Sequence, residues 1–157
     1  MTAYTLVDRW SADGLWRAVL LYAAEKKLHL GFVFDPLTQM SKECMEFLIR
    51  CEPELLSVAW VREAPGMTPK WKRYYLHHYV VTDRLAQDAL SVRSSPWRWV
   101  NPAMPTQPHV LHSDSSLFLL ADVARAHMVL KPTGRELADL EDISPSLSAS
   151  LREIDEP

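Results

Sequence analysis

Apolar positions along this chain switch between two periods. "TAYTLV" near the start alternates and is rich in strand formers, which predicts a short strand. In "SADGLWRAVLLYAAEKK" the residues Leu15, Val19, Tyr22 and Ala23 recur at helical spacing, and Ser11 stands where an N-cap belongs. "LHLGFVFDP" puts Leu28, Leu30, Phe32 and Phe34 in phase, a strand ended by Asp35-Pro36. "SKECMEFLIRCEP" returns to helical spacing. Ser41 caps it, Cys44, Met45, Leu48 and Ile49 form its core face, and Pro53 stops it.

The second half repeats the alternation of elements. "ELLSVAWVRE" reads as a strand, "APGMTPKW" as a loop, and "KRYYLHHYVV" as a strand that is aromatic on both faces. "TDRLAQDALS" is a short helix opened by Thr82 or Asp83. "SSLFLLADVARAHMVL" is expected to run from strand into helix, and "PTGRELADLED" adds a helical turn or two. "ISPSLSASLREIDEP" is polar and serine-rich. The pattern as a whole predicts a single α+β domain over residues 1–143. It has a mixed or antiparallel sheet flanked by two to four helices, among them 12–27 and 41–52. An acidic, disordered C-terminal tail covers 144–157.

Composition agrees with a globule and narrows the partners. A chain of 157 residues with 48% hydrophobic and 24% charged residues can build a core without staples. The net charge of −3 gives no global attraction to nucleic acid or to an acidic membrane. The acidity is terminal: Glu136, Asp139, Glu141, Asp142, Glu153, Asp155 and Glu156 face only Arg135 and Arg152 after residue 132. Cys44 and Cys51 lie on one helix, about 10 Å apart along its axis, too far for a disulfide. They read as reduced core thiols of a cytoplasmic protein. The longest apolar run, Ala18 to Ala24, is too short to span a bilayer.

No motif for catalysis or cofactor binding stands out, and no cofactor is expected. The four glycines are scattered, which excludes a phosphate-cradling loop and a dinucleotide fingerprint. His78, His109 and His112 could gather around zinc and support a metal-dependent hydrolase. Against that, His109 and His112 at a spacing of three on a strand would point opposite ways. "PKWKRYYLHHY" interleaves Lys70, Lys72 and Arg73 with Trp71 and Tyr75, the mix that grips single-stranded nucleic acid. A cationic strand edge that guards the sheet is the plainer account.

"SSPWRWVNPAMPTQPHVLH" holds Pro96, Pro102, Pro105 and Pro108, which fix φ and remove amide donors, so neither a helix nor a central strand is expected there. Its apolar residues predict an ordered loop packed over one end of the sheet. Trp97, Arg98 and Trp99 are the residue types that anchor interfaces, and they form the expected partner-binding site. Glu153, Asp155 and Glu156 would steer a basic partner toward it.

"YVVTDRLAQDAL", "WRWVNP" and "LFLLADVARAHMVLKPTGRELADL" together resemble the C-terminal half of bacterial polymorphic-toxin immunity proteins. Thr82-Asp83-Arg84-Leu85 and Thr133-Gly134-Arg135-Glu136-Leu137 carry the likeness, although Ala121 replaces the hydroxyl residue expected before Asp122. The resemblance implies a cytoplasmic, non-catalytic protein that neutralises a cognate toxin or effector by binding it. The first and last of these segments read from their own residues as an apolar strand, an aspartate (Asp83, Asp122) that caps, and a short helix; the resemblance adds a strand at Thr133–Leu137.

Overall fold

The structure is a computed structural model that describes residues 2–67 and 72–155. In chain order its elements are β1 (Ala3–Leu6), α1 (Ala12–Lys26), β2 (His29–Phe34), α2 (Lys42–Cys51), β3 (Leu55–Val61), β4 (Tyr74–Val80), α3 (Asp83–Val92), β5 (Thr106–Leu111), β6 (Leu117–Asp122), β7 (His127–Leu130), α4 (Gly134–Ile143), α5 (Leu147–Ser150) and β8 (Leu151–Ile154). The strands form one sheet in the order β3-β4-β2-β5-β6-β7-β1-β8, and every pairing is antiparallel. The α+β single-domain expectation holds.

Local chemistry sets most boundaries. The Ser41 hydroxyl accepts from the Cys44 amide at 3.1 Å, and the Thr82 hydroxyl accepts from Leu85 at the same distance. Each satisfies a helix-start amide that would otherwise lack a partner. Thr133 and Glu136 form a full capping box at the start of α4, so Thr133–Leu137 opens a helix rather than a strand. Ser11 does not cap α1. Its amide and hydroxyl both go to the Asp8 carboxylate, which caps a 3-10 turn at Arg9–Ser11. Lys27 ends α1 in the left-handed conformation at φ 53°, and the Leu28 amide returns to the Ala23 carbonyl.

The core lies between the helices and one face of the sheet. Leu30, Phe32, Tyr79, Val110 and Leu119 point from the strands toward Leu15, Val19, Phe47, Leu85 and Ala89 on the helices. Met45 and Ile49, expected in this core, are exposed, while Cys44, Phe47 and Cys51 take the buried face of α2. Both sets have helical spacing, so periodicity alone allowed either. Burial pushes the Cys44 thiol up to about 11 and the Cys51 thiol up to about 12.

Three further segments depart from the sequence reading. Residues 117–130 form a hairpin, β6 to β7, and not a strand followed by a helix. Asp122 caps the connecting turn instead of a helix, accepting from the Arg125 amide at 3.2 Å. The expected disordered tail begins with α5 and continues as β8, which pairs with β1 from Leu6↔Leu151 to Ala3↔Ile154. Residues 144–155 therefore belong to the domain. The segment around Pro108 is a central strand, with β2 on one side and β6 on the other. Proline is tolerated because the register shifts there: Gln107 sits at φ 52° in the bulge, where a ladder amide is not required.

Candidate functional site

The Arg9–Ser11 turn, the start of α1 and the segment after α3 enclose a surface cavity of about 560 Å³. Arg9, Asp13, Arg93, Trp10, Trp97 and Arg98 give it its character. Trp10 is 86% exposed, the most open large apolar side chain described. The Arg9 guanidinium lies 5.9 Å from its ring centroid, within cation–π range. The Trp97 indole N–H donates to the Arg9 carbonyl at 3.4 Å, tying the proline-rich loop to the turn before α1. Arg93 is held by Glu43, at 2.6 and 3.0 Å. Arg9 and Arg98 are exposed and outnumber Asp13, so the cavity is basic as well as aromatic.

Trp97 and Arg98 are thus where an anchor could work, and Trp99 is not. Trp99 is fully buried, stacked on Phe32 at 4.9 Å and edge-on to Trp16 and Phe47. Its place in the anchor set is corrected: a 3-10 turn at Pro96–Arg98 rotates the next ring inward, over the core. Met104 is buried beside it in the same cluster. The Pro102 and Ala103 carbonyls accept from the Ser41 amide and hydroxyl, so the loop is ordered as expected. Sequence pattern does not single out Trp10. It falls between β1 and α1 and belongs to no periodic face; the one available signal was a tryptophan flanked only by polar residues.

The acidic residues meant to steer a partner lie elsewhere. Leu6↔Leu151 is the end of the β1–β8 pair nearest the Arg9–Ser11 turn, whereas Glu153 and Asp155 run toward and past its Ala3 end. Glu156 lies outside the described residues. The cavity therefore presents positive charge, opposite in sign to the expected steering field.

A second constellation occupies the sheet face away from the helices. Gly31 on β2 pairs with His78 on one side and His109 on the other. The two rings meet at 90°, with Nε2 atoms 3.2 Å apart. A Cβ on residue 31 would lie 2.0 Å from the His109 Nε2, so glycine is what makes room. His109 Nδ1 donates to the Gln107 carbonyl at 2.9 Å, which leaves its Nε2 lone pair to accept from His78. Burial pushes the His109 imidazole down to about 4, and burial lowers His78 as well. The pair is neutral and structural at ordinary pH.

His112 does not join this pair. Its Nε2 meets a Glu136 carboxylate oxygen at 3.0 Å and its Nδ1 meets the Ser116 hydroxyl at 3.0 Å. Ser116 in turn donates to Asp114 at 2.6 Å, so its proton is already committed to a carboxylate. This chain of contacts clamps the β5–β6 hairpin to α4. Among the described residues no three His, Cys, Asp or Glu side chains are grouped to hold a metal ion. The His78–His109–His112 zinc site is corrected for that reason.

The expected nucleic-acid strip is described only in part. Lys70 and Trp71 lie outside the described residues. Lys72 is paired with Asp35 at 2.5 Å, Arg73 is exposed, and the Tyr75 ring packs on Trp60 at 4.5 Å.

Gln107 joins the two loops that flank this face. Its amide nitrogen donates to the Gly66 carbonyl and to Asp122, both at 3.0 Å, and its oxygen accepts from the Val123 amide at 2.7 Å. Among the described residues no helix is long and apolar enough to cross a membrane. Comparison with family models, curated proteins and solved structures finds no match to this chain.

Proposed function

We propose that this chain is a non-catalytic protein-binding module of the immunity or inhibitor type. It acts in the cytoplasm and takes an acidic segment of a partner protein, such as a cognate toxin or effector, into the Trp10–Trp97–Arg98 cavity. The observation that carries the reading is Trp10. An indole left 86% exposed keeps a large apolar surface in water, and it does so in a cavity beside Trp97 and three arginines rather than as an isolated surface ring. Tryptophan and arginine are the residue types whose truncation most often costs an interface 2 kcal/mol or more. The basic lining selects an acidic segment, and Trp97, held by the Arg9 carbonyl, offers a ring that loses little freedom on docking.

The test compares capture by the wild-type chain with capture by Trp10→Ala, Arg98→Glu and, as a control on the distant edge, Glu153→Ala. A dominant captured protein should be lost with the two cavity variants and kept with the control, while circular dichroism shows all three folded. Titration of that purified protein should then weaken at least about 30-fold for Trp10→Ala. Equal capture by every variant refutes the cavity as the docking site.

A further inference from the structure

β3 closes one end of the sheet: among the described residues its only strand neighbour is β4. A terminal strand carries a row of unpaired backbone groups, and proteins normally blunt such a row with charge, proline or brevity. β3 uses none of these. Its seven residues, Leu55 to Val61, include no charge and no proline. Leu55, Leu56, Val58 and Trp60 are each between 38% and 50% exposed. Register places Leu55, Val58 and Trp60 on the side of Tyr79, His77 and Tyr75 respectively, so their side chains share one face. Tyr75 extends that apolar strip onto β4, with its ring against Trp60.

We propose that β3 is the interface of a two-fold dimer of this chain, its strand pairing antiparallel with β3 of a second copy about Ala59. The sequence of the strand argues for a second copy over another occupant. The register with β4 is regular from Ser57 to Val61 and shifts only before Ser57, so the run free to pair has Ala59 at its midpoint. Two-fold pairing about that residue sets Val58 opposite Trp60 of the other copy, twice. Aromatic against β-branched is among the favourable cross-strand pairs. Ser57 meets Val61, and the small Ala59 meets itself on the axis. No like charges come face to face within the run, and a strand without charge has no means of selecting a charged partner.

The size of the surface bears on the strength. A five-residue ladder with the side chains of Leu55, Leu56, Val58, Trp60 and Tyr75 sits at or below the low end of stable interfaces, about 1,200 Å² in total. Such a small surface is that of a weak, reversible contact, whose strength depends on how well the side chains pack and not on area alone. This inference does not rest on the cavity at Trp10, which involves other elements.

The experiment is sedimentation velocity over a dilution series spanning the micromolar range. The wild-type chain should pass from twice the chain mass to the chain mass across the series. Val58→Lys and Trp60→Lys should stay at the chain mass throughout, with melting temperatures near that of the wild type. Ala59→Cys, oxidised, should give a covalent dimer, because paired strands bring Cα atoms within disulfide range. Cys44 and Cys51 are buried and supply no background. Should either lysine variant fail to fold, the Ala59→Cys crosslink decides alone. A wild-type chain at single mass over the whole range overturns the proposal, as does undiminished association of a folded lysine variant. Dimers without an Ala59→Cys crosslink overturn it too, since they would be built elsewhere.

Discussion

The sheet ends in two edges that are made differently. β8 is four residues long and turns Arg152 and Glu153 to solvent. β3 is seven residues long and turns Leu55, Leu56, Val58 and Trp60 to solvent. The first edge repels further pairing by being short and charged; the second offers itself. One chain thus shows both treatments, so the exposed apolar edge is not a general habit of its composition. The two edges also hang from the molecule by different attachments. β8 rests on β1, whose Ala3 and Thr5 are buried. β3 rests on β4, and β4 is joined to β2 along the seam where His78 and His109 meet over Gly31.

Breaking that seam should separate the two edges most. Gly31→Ala drives a methyl group into a buried ring that is hydrogen-bonded at both nitrogens. The expected loss is about 3 kcal/mol or more, read by chemical denaturation, because overpacking and two broken contacts add. Hydrogen exchange should show β3 and β4 opening ahead of β1 and β8.

Acid should act on the same seam by a different route. An unfolded histidine titrates near 6.5, and folded His109 titrates near 4 because burial disfavours its charge. Between those values the unfolded chain binds the extra proton. The contribution of His109 is therefore fully present above about pH 6.5, falls as pH drops through the window, and is gone below about pH 4. The size is about 3 kcal/mol at most. His78, lowered in the same direction, adds to the slope. Stability that stays level from pH 7 to 4.5 would show that the pair does not hold the seam.

The remaining tests exchange the edges. Arg152→Val with Glu153→Val gives β8 the character of β3 and should raise light scattering at high concentration. Val58→Lys gives β3 the character of β8. It should remove association while changing stability by no more than about 0.5 kcal/mol, since the side chain points to water.

Much of this framework was readable from residue order. Ser41 and Thr82 marked helix starts by their position before apolar periodic runs, and Leu30, Phe32 and Phe34 marked the core face of β2. The failures have a common cause: local signals that two structures share. Asp122-Val123-Ala124-Arg125 looks like a helix start because an aspartate accepts from the amide three residues on in a turn as in a helix. What decides is the pairing of β7 with β1: the first strand is legible in the sequence, but its place beside β7 exists only in the folded chain. The same strand captures Leu151–Ile154, which alone is too short and polar to read as structure. Trp97 and Trp99 differ by two positions and are indistinguishable in composition, yet one lines a cavity and the other fills the core. Trp10 went unread because periodicity weighs faces, and a residue between elements has none.

Gln107 carries a consequence for how this molecule can age. Its side chain spends two hydrogens and one lone pair on three partners drawn from two separate loops. Loss of ammonia there would replace a donor with a second anion facing Asp122, changing mass by a single unit. The Val123 amide would keep its acceptor and Arg125 would still reach the Gly66 carbonyl, but the two bonds donated by the Gln107 nitrogen would go, so a chemical event at one buried atom would loosen two surface segments more than forty residues apart in sequence.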